Sequence, residues 1–253
     1  MEPLITAMLA DLNEERPDGH ITVHFSRVKV TQISGDPSAK SQFNLDSMLS
    51  AASLLADAQV DAIGWGGTSA GWLGLDTDVQ LCQAIERQFD IPAYTSTLAL
   101  LEQLKAMQLD SVGLVTPYSA ELNDAIVQNF AEAGVDAVTG YEPLSLTNNI
   151  EIGELPYFEL EDRIQQILEA DDSLQAVTTF CTNLKAADLV REWEQEEPLQ
   201  QRGFRVLDSV SVLVWGLLWK LKVDPRGGSM REKWGELFQY EPTWAQHYNG
   251  RNS

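Results

Sequence analysis

A chain of 253 residues has room for one large α/β domain or two smaller ones. It is 44% hydrophobic and 22% charged with ordinary Gly and Pro content, the composition of a folded protein rather than a disordered one. Seventeen basic against 38 acidic residues leave a formal charge of −21, which repels phosphate backbones and anionic lipid and argues against nucleic-acid or membrane partners. An anionic substrate would have to be held by local N–H and hydroxyl dipoles. No apolar run approaches the ~18 residues of a membrane span, and the first residues lack the basic-then-apolar order of a secretory leader. Two cysteines, Cys82 and Cys181, and no Asn-x-Ser/Thr site fit a reducing, cytoplasmic setting with free thiols.

Residues 21–28 (ITVHFSRV) are predicted as a strand and 42–56 as an amphipathic helix. Residues 60–65 form a strand ending in glycines, 77–89 a helix, 91–95 a short strand, and 96–107 a helix. Residues 111–115 (SVGLV) read as an apolar strand and 120–133 as a helix stopped by Gly134. A strand at 135–141 and a loop with Thr147, Asn148 and Asn149 precede a helix at 157–170. The pattern then repeats: strand 174–180, helix 184–196, strand 204–207, helix 210–221. The tail from Pro225 is polar, contains Trp and Tyr, and has no assignable element. Strands separated by single helices mean βαβ units and parallel sheets covered on both faces.

The chain carries an internal echo. The strand at 60–65 leads into Gly67-Thr68-Ser69, a helix, a second strand, and Ser96 opening another helix. The strand at 174–180 leads into Cys181-Thr182-Asn183, a helix, a second strand, and Ser209 near the next helix. Thr68 to Ser96 is 28 residues and Thr182 to Ser209 is 27. Two similar halves, each with a polar tripeptide at a strand's carboxyl end, predict a pseudo-twofold pair of α/β units with those ends at one cleft.

Cys181 stands between a strand and a helix, where a thiol can be reactive; the alternative is a small buried hydrophobe. Cys82, mid-helix, is expected in the core. Gly67-Thr68-Ser69-Ala70-Gly71 matches the Gly-x-Ser-x-Gly elbow of serine hydrolases, but such an enzyme needs a histidine base. Only His247 follows Ser69, in the polar tail, while His20 and His24 precede it. Thr68 and Ser69 are better read as hydroxyl and N–H donors to a carboxylate, or as a helix cap. Tyr118, in Thr116-Pro117-Tyr118 after the 111–115 strand, can offer a phenol to the same cleft. No metal-ligand spacing and no phosphate-binding glycine loop occurs, so neither metal nor nucleotide cofactor is expected.

Taken in order, Gly67-Thr68-Ser69, Thr116-Pro117-Tyr118 with Glu121-Leu122-Asn123, Leu146-Thr147-Asn148-Asn149-Ile150-Glu151-Ile152 and Cys181-Thr182-Asn183-Leu184 resemble the arylmalonate decarboxylase and maleate isomerase family, within the aspartate/glutamate/hydantoin racemase superfamily. The resemblance runs from about Glu2 to Leu221. It implies two pseudo-symmetric, Rossmann-like parallel lobes, residues 1–110 and 111–208, with the last helix or tail (209–253) able to cross back to the first. A cofactor-free site for a small carboxylic or dicarboxylic acid would lie between them.

The resemblance further implies a cysteine at each of two strand ends in the isomerases and racemases. Cys181 matches the second, and Gly67 stands where the first would be, as in the decarboxylases. Cys181 would be the catalytic proton donor, Thr68, Ser69, Tyr118 and Thr182 the carboxylate donors, and Asn148 and Asn183 supporting loop residues. The expected activity is decarboxylation of 2-substituted malonates. Maleate isomerisation or racemisation is the alternative, as is a non-catalytic paralogue, because the first strand and a Pro/Ser/Asn loop of the family are expected to be missing.

Overall fold

The computed structural model describes residues 1–17, 19–140, 142–201, 203–226 and 228–245. In chain order the elements are α1 Glu2–Glu14, α2 Pro37–Lys40, α3 Leu45–Asp57, β1 Ile63–Trp65, α4 Ala70–Leu73, α5 Asp76–Phe89, β2 Ala93–Thr95 and α6 Ser96–Ala106. They continue with β3 Ser111–Val115, α7 Ala120–Glu132, β4 Asp136–Thr139, α8 Asn149–Gly153, α9 Tyr157–Ala170 and β5 Ala176–Thr179. The chain then forms α10 Val190–Gln195, α11 Glu197–Gln201, β6 Arg205–Asp208, α12 Ser209–Lys220 and α13 Gly228–Trp234. None of the described helices is long and apolar enough to cross a membrane. Local chemistry sets several boundaries. Asn44, Thr95, Ser119 and Asp208 cap α3, α6, α7 and α12 by accepting first-turn N–H bonds. Gly134, at φ +81°, adopts the left-handed turn that stops α7.

The strands form two parallel sheets, β1-β2 and β4-β3-β5-β6. The β1-β2 and β5-β6 pairs repeat each other. Trp65 lies opposite Thr95, and Thr179 opposite Asp208, at sequence separations of 30 and 29. Each second strand runs directly into a helix that begins with serine. Gly67 and Cys181 therefore stand at matching places, two residues past the last paired residue of β1 and β5. Helix α12, buried on nearly every side, packs against α6 and β2 and ties the larger sheet to the smaller one. Cys82 is buried with Met48, Ala52, Ile63, Leu81, Ile85 and Ala93 between α3, α5 and the small sheet, as expected.

Two expected elements are corrected. Residues 21–28 join no sheet despite their strand-like alternation. A strand needs a neighbour, and here the Asn13 amide satisfies Ile21 instead, donating to its carbonyl and accepting from its N–H, both at 2.8 Å. Residues 20–26 line a cavity of about 720 Å³ whose other walls come from Met1, Ile5 and Leu9, from 55–66 and from 213–223. The helix expected over 184–196 is present only as α10. Before it, Lys185 takes a left-handed φ of +55° and donates its ammonium to Gly153 O at 2.6 Å, so residues 184–189 stay irregular.

Candidate active site

The carboxyl ends of β1, β3 and β5 meet at one place. Thr68, just past β1, shares a 2.9 Å hydrogen bond through Oγ1 with the Tyr118 hydroxyl, just past β3. The Thr182 hydroxyl, just past β5, donates to Gly66 O at 3.1 Å. Two side-chain bonds thus clasp the Gly66–Gly67–Thr68 segment of the small sheet against the larger sheet. The close approach needs small residues. A Cβ on Gly71, in α4, would meet the Phe180 ring at 2.5 Å, and the Asn129 amide donates to Gly71 O at 2.8 Å. The second glycine of Gly67-Thr68-Ser69-Ala70-Gly71 is therefore accounted for by packing.

Of the residues expected at the site, Thr68, Ser69, Tyr118, Cys181 and Thr182 expose 4, 6, 2, 4 and 8% of their surface. The site is closed in this conformation, and a ligand needs a neighbouring segment to part. Residues 30–33 run against the Thr147–Asn149 loop. Val30 O accepts from the Asn149 amide at 2.9 Å, and Ile33 N–H donates to Thr147 O at 2.9 Å. The large cavity beside β1 reaches Trp65 and Gly66, and none of these five residues lines it.

Burial controls the chemistry of the Cys181 thiol and pushes its pKa up, although the Tyr118 hydroxyl and the Asn183 N–H pull the other way. Cys181 is thus a thiol, not a thiolate, at neutral pH. Burial likewise lifts Tyr118 well above the ordinary phenol value, so it stays a neutral donor. Asp208 at the end of β6 is fully buried; it accepts from Thr179 Oγ1 at 2.6 Å and from the Val210 and Ser211 N–H groups. Its charge adds to the upward pressure on Cys181.

The loop residues are arranged differently from expectation. Asn148 is exposed and caps α8, accepting from Ile150 N–H at 2.8 Å. Its neighbour Asn149 makes the link, accepting from the Asn183 amide at 2.7 Å and donating to Val30 O. Asn183 is thus joined through Asn149 to Val30, and Asn148 is not. His20 and His24 lie exposed beside the large cavity, away from Ser69, and His247 lies outside the described residues. Among the described residues no group of three His, Cys, Asp or Glu side chains could hold a metal ion.

Sequence reasoning missed three residues here. Asn149 is one of two adjacent asparagines, and nothing local says which reaches the site. Asp208 could have been found as the echo of Thr95, since both end a strand and cap the next helix. Trp65 shares a strand face with Gly67 by simple alternation. A Cβ on Gly67 would come within 2.6 Å of its ring.

The sequence profile of the arylmalonate decarboxylase family matches residues 38–232. A maleate isomerase of Geobacillus stearothermophilus is 21% identical over 239 residues, covering 91% of each chain. A Pseudomonas putida maleate isomerase is 26% identical over 232 residues, covering 89% of this chain and 88% of its own. Among solved structures, a maleate isomerase variant from Pseudomonas putida S16 with maleate superposes with a TM-score of 0.77 at 21% identity, over 94% of this chain and 93% of that one. A crystal structure of arylmalonate decarboxylase gives 0.64 at 22% identity, over 77% and 82%. By the family match over residues 38–232 the chain belongs to the arylmalonate decarboxylase family, and its relatives are decarboxylases and isomerases.

Proposed function

We propose that the protein decarboxylates 2-substituted malonates without a cofactor, and the observation that carries this reading is Cys181, the one thiol at these strand ends, buried and kept protonated beside Tyr118. Thr68, Ser69 and Tyr118, with the N–H of Thr182, hold one carboxylate of the substrate. The other carboxylate faces apolar surroundings and leaves as CO2. Its bonding electrons pass into the retained carboxylate as an enediolate, and donors fixed in place beforehand stabilise that developing charge. Cys181 then gives its proton to the α-carbon as general acid. Gly67 can be neither acid nor base, so the chemistry proceeds from one face.

Maleate isomerisation is the second reading, favoured by the names of the curated relatives. It needs Cys181 as a nucleophile, and burial holds back the thiolate which that role requires. Both readings are tested by offering the protein phenylmalonate and maleate separately. Carbon dioxide from phenylmalonate supports the decarboxylase. Fumarate from maleate with no carbon dioxide from phenylmalonate overturns it in favour of the isomerase.

A further inference from the structure

The end of β1 presents an unexplained donor. A Cβ on Gly64 would meet Leu217 and Leu213 of α12 and one on Gly66 the Met1 side chain, so alternation turns Trp65 and Gly67 to the opposite side. There the Trp65 indole covers Gly67. A Cβ on Gly67 would sit 2.6 Å from Trp65 Cε2 and Cζ2 and 2.8 Å from Nε1. The indole N–H is buried and, like those of Trp72 and Trp219, has no hydrogen-bond partner among the described residues. An unpaired buried donor is costly, and native structures keep few of them without a role.

Its location points to one. Gly67 is bracketed by Gly66, whose carbonyl accepts from Thr182, and by Thr68, whose hydroxyl meets Tyr118. The indole therefore lies over the segment that clasps the Cys181 strand end. Gly67 also matches Cys181 in the repeated strand pairs, so the indole fills the space that a side chain equivalent to the Cys181 thiol would need.

We propose that Trp65 is a specificity-determining residue whose indole N–H donates to the retained carboxylate of the substrate while its ring excludes any side chain from position 67. This rests on the reading of the Cys181 site given above. It makes the site a one-thiol site by occupation of space as well as by the absence of a second cysteine. It also adds an uncharged donor to the carboxylate grip, in a chain whose net charge opposes anions.

The test is an NMR titration of protein labelled with 15N at the indole nitrogens, using phenylacetate as a product-like ligand that carries the retained carboxylate. Trp65→Phe, or Trp65→Tyr where that variant does not fold, identifies the Trp65 cross-peak among the seven tryptophans. Protection of Cys181 from iodoacetamide by phenylacetate is followed in parallel. The expected result is a downfield shift of the Trp65 N–H that saturates with the same dissociation constant as the protection. The substituted protein should bind about tenfold more weakly, the loss of one charge-assisted hydrogen bond. Protection of Cys181 with an unmoved Trp65 cross-peak overturns the role of Trp65 and leaves the site reading intact. No protection of Cys181 at all overturns the site reading, and this proposal with it.

Discussion

Tyr118 and Thr68, fifty residues apart, share a buried hydrogen bond of 2.9 Å between the ends of β3 and β1. The bond crosses from one sheet to the other, so it fastens the two parts of the fold at the proposed carboxylate grip. Tyr118→Phe keeps the ring and removes the hydroxyl, leaving Thr68 Oγ1 buried without this partner. A loss of roughly 1–2 kcal/mol is expected, seen as a lower midpoint in urea unfolding. If the phenol also stabilises the enediolate, turnover should fall by about 10²–10³-fold, the usual cost of one such donor. Loss of stability with unchanged turnover would assign Tyr118 to the fold alone.

Cys181→Ala should abolish nearly all turnover while the protein stays folded, because a small buried side chain is replaced by another. A positioned general acid supplies roughly 10²–10⁴-fold, so residual activity above about a tenth of wild type would remove Cys181 from that role. The pH profile carries a second check. An acid must be protonated to act, and burial raises this thiol, so the alkaline fall in kcat should come above the ordinary cysteine range. A fall at neutral pH that the alanine variant lacks would contradict the buried-acid assignment.

Much of this architecture was legible because apolar periodicity is a local property. The strand Ser111–Val115 and the helix Tyr157–Ala170 occur where the pattern places them. Residues 21–28 have an equally good strand pattern and join no sheet, since pairing depends on a neighbour that no local pattern encodes. Thr68, Tyr118 and Cys181 could be chosen because each follows a strand closely, and parallel sheets place such positions together. The choice between Asn148 and Asn149 could not be made that way. Capping geometry turns the first outward and leaves the second to meet Asn183, and that geometry depends on the start of α8. Trp65 reads as an ordinary strand residue until the missing Cβ of Gly67 reveals what its ring covers.

Stability should fall as pH rises from about 4 to 7. Asp78 is buried in α5, its Oδ2 has no partner among the described residues, and burial pushes its pKa from the usual 3.8 up to about 7, offset only in part by the Thr95 and Thr97 hydroxyls. The folded state therefore binds more protons than the unfolded state across that interval. Stability is complete below the unfolded value, declines through the window, and levels off above the folded value. Glu194, buried and pushed up to about 7, acts in the same direction. Asp78→Asn removes the ionisation at nearly constant volume. It should flatten the decline and stabilise the protein at pH 8 by about 2–4 kcal/mol relative to wild type. Urea unfolding at pH 5 and pH 8 reads both effects, and equal slopes for the two proteins would clear Asp78 of this role.

Gly67→Cys is the substitution that would add a second thiol across from Cys181, and the structure predicts that it fails alone. Its Cβ would fall 2.6 Å from the Trp65 ring, closer than packed carbons tolerate, so the ring must shift or the backbone must yield. The single variant should lose about 1–3 kcal/mol of stability and show little new chemistry. Pairing it with Trp65→Ala clears the space. With one sulfur to remove the α-proton and another to return it, the enediolate becomes a two-base intermediate. The double variant should then exchange the α-proton of a 2-arylpropionate in D2O and release product of lowered optical purity. The Trp65→Ala single variant, which lacks the second thiol, should do neither. If the double variant folds and releases CO2 but exchanges no deuterium, positions 67 and 181 do not face one substrate carbon, and the matching register of β1-β2 and β5-β6 does not extend to the chemistry.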